Sequence, residues 1–395
     1  MNRWKDAKLG DFAEIQTGPF GSQLHAADYV DVGIPSIMPT NIGNRLEIRT
    51  DSIVCIKEAD ALRLERYLVK ENDIVYSRRG DVEKCAFITN EQSGWLCGTG
   101  CLRVRFKSQE VDPLFCALYL STDEIKGWVS GNAVGTTMPN LNSLILAQLP
   151  LFLPPLPEQK AIASVLSSLD DKIDLLHRQN KTLETMAETL FRQWFVEEAQ
   201  EDCEDMRLAD YADHIKVGVT PADNPFVVYT HYSLPAFDDG MRPVVEQGST
   251  ILSNKYRVEP WSILVSKLNP QFPRIWPIGD QPGENAICST EFQVFKPKEK
   301  DLYGYLYYLL KSREAREALS MAASGTSGSH QRVRPQDISS ISATSPSIGL
   351  AERFSALVAP GIKKFMSNQM QIRTLESLRN TLLPKLMSGE VRVAV

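Results

Sequence analysis

The sequence predicts an α+β fold in which two mixed α/β domains, related by a pseudo-two-fold, are separated by two long antiparallel coiled-coil helices. Three observations predict it: the chain repeats itself, each repeat contains strand-like runs followed by helical patterns, and each repeat ends in a long heptad pattern. At 395 residues the chain can form two domains of about 150 residues with connecting elements. The expected boundaries are residues 1–154 and 201–346 for the domains, 155–200 for the central helix, and 347–395 for the distal helix and tail.

The repeat is clearest in the two helical segments. Thr182-Leu183-Glu184 recurs as Thr374-Leu375-Glu376, and this offset of 192 holds without a gap across both segments. Within the domains the match continues with small insertions and deletions, so that Ile74–Arg78 resembles Ile263–Lys267. The order along the chain is therefore domain, helix, domain, helix.

Each domain combines strand-like and helical patterns. Short β-branched or aromatic runs with turn-forming or charged neighbours predict strands at Asp73–Ser77, Cys101–Phe106, Ile263–Ser266 and Glu291–Phe295. Apolar residues spaced three and four apart predict helices near Pro113–Val129 and Leu302–Met321. The Gly/Ser/Asn-rich segments Ser130–Asn142 and Ser324–His330 are predicted to be loops.

Both helical segments carry a coiled-coil seam, with apolar residues at alternating steps of four and three. The central seam is Ile162, Leu166, Leu169, Ile173, Leu176, Asn180, Leu183, Ala187, Leu190 and Trp194. The distal seam is Phe354, Val358, Gly361, Phe365, Asn368, Ile372, Leu375, Arg379, Leu382 and Leu386. Pro360 and Pro384 are expected to kink or fray the distal helix.

Each seam contains one asparagine, at positions that the repeat does not relate. In a parallel pair, Asn180 would face Ile372 and Asn368 would face Leu176, burying each amide against hydrocarbon at a cost of about 1–3 kcal/mol. In an antiparallel pair the two amides meet. We therefore predict antiparallel helices whose register is set by an Asn180–Asn368 contact, with Trp194 beside Phe354; two exposed amides at frayed positions are the alternative.

The composition narrows the class of protein. The longest apolar run, residues 141–156, is interrupted by Gln148 and three prolines and cannot span a membrane. The first residues lack the apolar core of a secretory signal, which favours a cytoplasmic location. Seven cysteines without metal-type spacing are expected to be reduced, structural thiols.

The charge of the chain is unusual for a nucleic-acid binder. A formal net charge of −6 means that any contact with DNA must use local basic patches or charge supplied by a partner. The helical segments have opposite biases: residues 155–200 contain 5 basic and 8 acidic groups, and residues 347–395 contain 7 and 3. This difference favours pairing of the two segments with each other.

Several stretches carry a resemblance to one family: Leu153–Ile162 (LPPLPEQKAI), Leu169–Ile173 (LDDKI), Asn180–Glu184 (NKTLE), Leu190–Phe195 (LFRQWF), Leu382–Glu390 (LLPKLMSGE), Gly18–Ser22 (GPFGS) and Gly33–Pro35 (GIP). The chain resembles the specificity subunits of type I restriction–modification systems over essentially its whole length. It departs from the family where Ser347–Ala351 replaces the usual Pro-Leu-Pro-Glu-Gln, which leaves the start of the distal helix less certain.

The resemblance implies a DNA-recognition subunit without catalytic residues. Each domain would be a target-recognition domain that contacts one half of a bipartite, asymmetric site in double-stranded DNA. The helices would set the spacer and dock two methylation subunits, which bind S-adenosylmethionine and methylate adenine. Restriction subunits that translocate DNA and hydrolyse ATP with Mg²⁺ would join that core. The chain itself would bind no cofactor and no metal.

Residues that could contact DNA lie at two kinds of position. Arg78 and Arg79 follow a predicted strand, and the second repeat has Lys267, Asn269 and Arg274 there; arginine can contact guanine or phosphate. Polar loops supply the second set: Thr136, Thr137, Asn140, Ser329, His330, Gln331, Arg332 and Arg334. The alternatives are solvated surface charge for the first set and ordinary turn chemistry for the second.

Enzyme functions are the competing class. Asn269-Pro270-Gln271-Phe272 resembles the Asn-Pro-Pro-Phe loop of adenine methyltransferases, but glutamine replaces the second proline and no glycine-rich cofactor loop accompanies it. The sequence has no Gly-x-x-x-x-Gly-Lys-Ser/Thr loop, and its five histidines form no metal-type cluster. A DNA adenine methyltransferase or a nuclease therefore remains the less favoured alternative, and a scaffold that has lost DNA binding is a third.

Overall fold

The computed structural model describes residues 4–20, 23–135, 139–198, 204–323, 331–345 and 347–394. The chain forms two compact units. Unit 1 comprises Met1–Lys172 with Leu375–Val395, and unit 2 comprises Ile173–Thr374. Each of the two long helices contributes residues to both units.

The described residues of unit 1 form ten strands: β1 Lys5–Lys8, β2 Ala13–Thr17, β3 Tyr29–Val30, β4 Ile34–Ile37, β5 Val54–Ile56, β6 Ile74–Ser77, β7 Cys85–Phe87, β8 Leu96–Cys97, β9 Cys101–Phe106 and β10 Pro150–Leu153. An antiparallel sheet has the order β2-β9-β6-β7. A second sheet has the order β3-β5-β4-β8 and includes a parallel β4–β8 pair, while β1 pairs with β10.

The helices of unit 1 cover one side of its core. They are α1 Leu9–Phe12, α2 Glu58–Arg63, α3 Pro113–Leu120, α4 Asp123–Asn132 and α5 Ser143–Ala147, followed by the first part of α6 Leu156–Arg192. Alternate residues of β6 and β9 pack with α3 in one continuous apolar cluster that also includes Leu166 and Leu386 from the long helices. This core holds the ends of β6 in place.

Unit 2 repeats this plan, with eleven strands in its described part: β11 Glu204–Arg207, β12 Ala212–Ile215, β13 Gly218–Val219, β14 Val228–Tyr232, β15 Val244–Gln247, β16 Lys255–Arg257, β17 Ile263–Ser266, β18 Ile275–Pro277, β19 Ile287–Ser289, β20 Phe292–Pro297 and β21 Ser342–Ser345. The sheet β12-β20-β17-β18 has the same order of strands as β2-β9-β6-β7 in unit 1. The sheet β13-β16-β19-β14-β15 again contains one parallel pair, β14–β19.

The core of unit 2 is rich in aromatic rings. Its helices are α7 Leu208–Tyr211, α8 Leu234–Asp238, α9 Tyr303–Lys311, α10 Arg313–Ala322, α11 Pro335–Ser339 and part of α12 Ile348–Met387. Phe354 of α12 is fully buried against Phe191, Phe195 and Tyr308, with ring centroids 5.4–5.9 Å apart. This cluster joins the end of α6, α9 and α12 within the unit.

Both predicted helical stretches are helical, and each consists of two helices separated by a short break. Residues 113–129 form α3 and the start of α4, and residues 302–321 form α9 and most of α10. At the first break, the hydroxyls of Ser121 and Thr122 donate to the carbonyls of Leu118 and Tyr119 at 2.7 and 2.8 Å. Such side-chain bonds compete with the helical backbone pattern, and an apolar period alone does not report them.

The long helices pair antiparallel within unit 2. Asn368 Nδ2 donates to Asn180 Oδ1 at 2.8 Å, and the two side chains are nearly or fully buried. The Trp194 and Phe354 rings also lie together, with centroids 6.0 Å apart. From the asparagine pair to this ring pair the residue number rises on the central segment and falls on α12, so the two segments are antiparallel. Helix α12 continues through Pro360 and Pro384, where each ring removes one backbone hydrogen bond.

The described cysteines are buried and unpaired: Cys55, Cys85, Cys97, Cys101, Cys116 and Cys288. Burial raises the pKa of the Cys85, Cys97 and Cys288 thiols to about 12. These thiols therefore stay protonated at neutral pH and fill core volume. In the described part of the chain, no helix combines the length and apolarity needed to cross a membrane.

Candidate nucleic-acid interface

In unit 1, the predicted residues after β6 and the predicted polar loop form one edge. The Arg78 carbonyl accepts from the Leu141 amide at 2.9 Å, and Arg79 pairs with Asn140 in an isolated antiparallel bridge. Two candidate segments that are about sixty positions apart in the sequence therefore lie side by side. We call residues 77–84 together with 134–135 and 139–142 edge 1.

The backbone of edge 1 is held at several points. The Ser77 hydroxyl donates to the Arg79 carbonyl at 3.0 Å, the Ser77 amide donates to the Lys84 carbonyl at 2.9 Å, and the Arg78 amide donates to the Gly100 carbonyl at 2.7 Å. Gly80 has a φ of +73°, the left-handed conformation that glycine adopts without strain. Arg79 is exposed and Arg78 is half-buried, so both guanidinium groups extend from a fixed backbone.

Unit 2 contains the equivalent edge. Leu268 pairs with Arg332 in an antiparallel bridge, and the Lys267 carbonyl accepts from the Val333 amide at 3.0 Å. The Asn269 amide donates to the Gln331 carbonyl at 2.9 Å. We call residues 266–274 together with 331–334 edge 2. It unites Lys267, Asn269, Arg274, Gln331, Arg332 and Arg334, again from two separate candidate segments.

Three hydrogen bonds that hold edge 1 recur at the equivalent positions of edge 2. The Ser266 hydroxyl is 3.2 Å from the Leu268 carbonyl oxygen, the Ser266 amide donates to the Arg274 carbonyl at 3.0 Å, and the Lys267 amide donates to the Glu291 carbonyl at 2.8 Å. Asn269 has a φ of +52°, at the position that Gly80 occupies in edge 1. Both repeats therefore have the same backbone conformation at this turn.

The side chains of the two edges differ while the backbone stays the same. Arg78 corresponds to Lys267, which keeps a cation at one position. At the bridge, edge 1 pairs Arg79 with Asn140, whereas edge 2 pairs Leu268 with Arg332. The arginine is thus on opposite sides of the bridge in the two edges, and each edge presents a different pattern of donors and acceptors.

Part of the positive charge of edge 2 is neutralised within the unit. Arg274 forms a two-point ion pair with Asp238, with Nε–Oδ1 and NH2–Oδ2 distances of 2.7 and 2.9 Å. The exposed Arg332 lies 3.2 Å from Glu291. Arg274 is therefore tied to a structural partner, whereas Arg334 is exposed and, within the described residues, forms no ion pair.

Four predicted residues lie outside the described residues: Thr136, Thr137, Ser329 and His330. The first two belong to the segment whose ends, Val134 and Asn140, donate to each other at 3.0 and 2.9 Å. The last two directly precede Gln331 in the sequence. Both segments therefore start or end at an edge.

Sequence reasoning did not select two residues of edge 2, Gln271 and Phe272, as candidate contacts. Gln271 Nε2 donates to Gln331 Oε1 at 3.3 Å, and Phe272 is largely exposed. A cleft of about 420 Å³ beside Gln271 is lined by Arg316 and Met321 of α10, among others. Residues 269–272 form a turn in which the Phe272 amide donates to the Asn269 carbonyl at 2.9 Å, which explains their sequence without a methyltransferase loop. The equivalence of Gly80 and Asn269 was the signal that could have found this turn.

The chain is similar in sequence to known proteins. Residues 1–185 match the family model of the type I restriction modification DNA specificity domain. Over 99% of its length the chain is 24% identical to a type I restriction enzyme specificity subunit, MjaIX, from Methanocaldococcus jannaschii, and the match covers 94% of that protein. The chain is therefore similar to the type I restriction enzyme specificity subunits, and the family model matches its first 185 residues.

Two further proteins show the same similarity. The HindI specificity subunit of Haemophilus influenzae is 25% identical over 50% of this chain and 42% of that protein. A crystal structure of a type I restriction–modification S subunit from M. genitalium matches with a TM-score of 0.66 and 16% sequence identity, covering 97% of this chain and 96% of that one. At that sequence identity the structural match establishes the fold alone. Among the described residues, no group of three or more His, Cys, Asp or Glu side chains is arranged to hold a metal ion.

Proposed function

We propose that edges 1 and 2 each contact one half of a bipartite, asymmetric site in double-stranded DNA. The observation that carries the proposal is that the two edges share a bridge and the main hydrogen bonds of their backbone. A backbone frame repeated with different side chains is what two readers of different half-sites require. Arginine and asparagine at the bridges have the donors and acceptors that distinguish base edges, and the fixed backbone reduces the entropy lost on binding.

The long helices would act as the spacer between the two half-sites and as the docking surface for methylation subunits. Helix α6 has 37 residues, which corresponds to about 55 Å at 1.5 Å per residue. In this proposal two methylation subunits supply the S-adenosylmethionine site, and restriction subunits supply the ATP and Mg²⁺ chemistry. This chain supplies recognition and no catalytic group, and works where cellular DNA is found, in the cytoplasm.

Because this chain has a net charge of −6, its partners are also expected to contact DNA phosphates. Phosphate contacts provide much of the affinity of DNA-binding proteins, and they need cations. The edges offer few unpaired cations, since Arg274 and Arg332 already face carboxylates. We therefore expect tight DNA binding only from the assembled complex, in which the partners hold phosphates while the edges contact bases.

The test of this proposal is Arg78→Ala in the assembled complex. Loss of an arginine contact to a base or phosphate is expected to weaken binding of the cognate duplex by about 1–3 kcal/mol at fixed salt. If Arg78 contacts phosphate, the slope of log affinity against log salt also falls by about 0.9. Binding is measured by titration of a labelled duplex at several salt concentrations.

Arg207→Ala is the matched control, because it removes the same charge from an exposed ion pair with Asp210, outside both edges and both long helices. Thermal unfolding of both variants should match that of the natural chain. Unchanged cognate affinity of Arg78→Ala at every salt concentration would remove edge 1 from the DNA interface. Loss of binding in both variants would indicate a general charge effect instead. If the complex with the natural chain also fails to bind DNA, the alternative of a scaffold that has lost DNA binding is supported.

A further inference from the structure

The polar pairs between the two long helices hold information about which segment pairs with which. In unit 2, Asn180 and Asn368 are 5% and 0% exposed and bonded to each other. In unit 1, Arg379 Nε lies 3.2 Å from Asp170 Oδ1, with both side chains mostly buried. Each pair joins one residue of α6 to one residue of α12.

The repeat shows what would happen if one segment paired with a copy of itself. By the offset of 192, Asn368 corresponds to Leu176 and Arg379 corresponds to Ala187. Two central segments paired in the same antiparallel register would therefore place Asn180 against Leu176 and Asp170 against Ala187. Because such a pair is symmetric, each mismatch would occur twice.

The distal segment has the same property. Asn180 corresponds to Ile372 and Asp170 corresponds to Ile362. Two distal segments would bury Asn368 against Ile372 and Arg379 against Ile362. In the natural pairing the apolar residues at these four positions are buried: Leu176, Ala187, Ile362 and Ile372. None of their side chains could bond an unpaired amide or charged group.

The apolar seam positions carry no such information. Self-pairing of the central segment would place Leu166 against Leu190 and Ile173 against Leu183, which are ordinary coiled-coil contacts. Hydrophobic matching alone would thus accept a second copy. Within the helix contact, the asparagine pair and the ion pair are the contacts that self-pairing would break.

We infer that these two polar pairs form a partner code: they make the central segment bind the distal segment and penalise binding to a second copy of itself. A polar seam residue that selects a partner at some cost in stability is well attested in coiled coils. The consequence is that two different recognition domains stay together in every assembly. Assemblies in which one domain is present twice, and which would suit a symmetric site, are disfavoured.

The experiment reproduces self-pairing inside the full chain. The variant N368L/I372N gives the distal segment the pattern of the central one, with leucine opposite Asn180 and asparagine opposite Leu176. Two amides then lose their partners, and we expect the equilibrium constant for unfolding in urea to rise at least about tenfold. The matched control is L176N/N180L/N368L/I372N, which differs from the natural composition only by one leucine in place of one isoleucine and again places two asparagines opposite each other, at positions 176 and 372. It should regain most of the loss.

A second site tests the code independently in unit 1. R379A copies Ala187 opposite Asp170 and should lower the urea midpoint, whereas D170I/R379A installs the apolar pair of unit 2 and should recover it. If N368L/I372N unfolds at the natural midpoint, or if the fourfold variant fails to recover, the partner code is wrong. All of these readouts are made without DNA, so they are independent of the proposed recognition of half-sites.

Discussion

Replacing Phe354 by alanine is expected to destabilise unit 2 by about 3–5 kcal/mol, the usual cost of removing a fully buried phenylalanine. Phe354 is 0% exposed and touches rings on three helical segments, including Phe191, Phe195 and Tyr308. Neighbouring rings cannot close the cavity without moving α6, α9 or α12. Urea unfolding followed by tryptophan fluorescence measures the loss, since Trp194 lies against the same ring.

The control for this prediction is Phe226→Ala, because Phe226 is 89% exposed and its removal should leave the urea midpoint nearly unchanged. Equal midpoints for Phe354→Ala and the natural chain would mean that the aromatic cluster does not hold the helices to the domain. A loss in both variants would indicate that phenylalanine matters through the unfolded state instead.

The second large effect is expected at Arg105 in unit 1. Its guanidinium bonds the two oxygens of Asp73 at 2.8 and 2.6 Å and also donates to the Leu68 carbonyl. Asp73 is 2% exposed, so Arg105→Ala leaves a carboxylate inside the domain without its counter-charge. Such uncompensated charges cost about 3–5 kcal/mol. Hydrogen bonding to Asp73 also raises the pKa of Arg105, which keeps this guanidinium charged throughout the accessible pH range.

Two comparisons isolate the buried charge as the cause. Asp73→Asn combined with Arg105→Ala should be more stable than Arg105→Ala alone, because no unpaired carboxylate remains. Arg207→Ala should have little effect, since Arg207 and Asp210 form an exposed ion pair. If Arg105→Ala and Arg207→Ala gave the same urea midpoint, the pair with Asp73 would not stabilise unit 1.

The long helices could be predicted closely because their information is local. The four-and-three spacing and the two asparagines lie within two short stretches, and the expected contact between Asn180 and Asn368 corresponds to a hydrogen bond in unit 2. The buried strands β9 and β17 also have the predicted bounds, since β-branched runs between turn residues depend mainly on neighbours in the sequence.

The edges could not be assembled from sequence because they depend on distant pairing. Nothing local to Arg79 indicates Asn140, and nothing local to Leu268 indicates Arg332. Trp261 shows a related limit: it has a φ of +59° in a turn where the first repeat has Asn72 at +71°. Asparagine tolerates that conformation and tryptophan rarely adopts it, so the repeat has kept the backbone while changing the residue.

The ion pairs of edge 2 could not be predicted from the sequence either. Arg274 was selected as a cation after a strand, but Asp238, its partner, lies in α8 at a distance of 36 positions. Candidate DNA contacts chosen by residue type alone therefore include side chains that the fold already uses. Residue type and spacing selected loops that the fold brings together, whereas the three-dimensional pairing decides which of their side chains are available.

The most direct test of the account is a map of methylated adenines in DNA modified by the assembled complex, for the natural chain, for Arg79→Ala and for Arg332→Ala. The account predicts a bipartite, asymmetric site for the natural chain. It further predicts that Arg79→Ala relaxes or abolishes selectivity in one half only, and that Arg332→Ala does so in the other half. Maps in which both variants alter the same half, or in which neither variant changes any position, would contradict the assignment of one half-site to each edge.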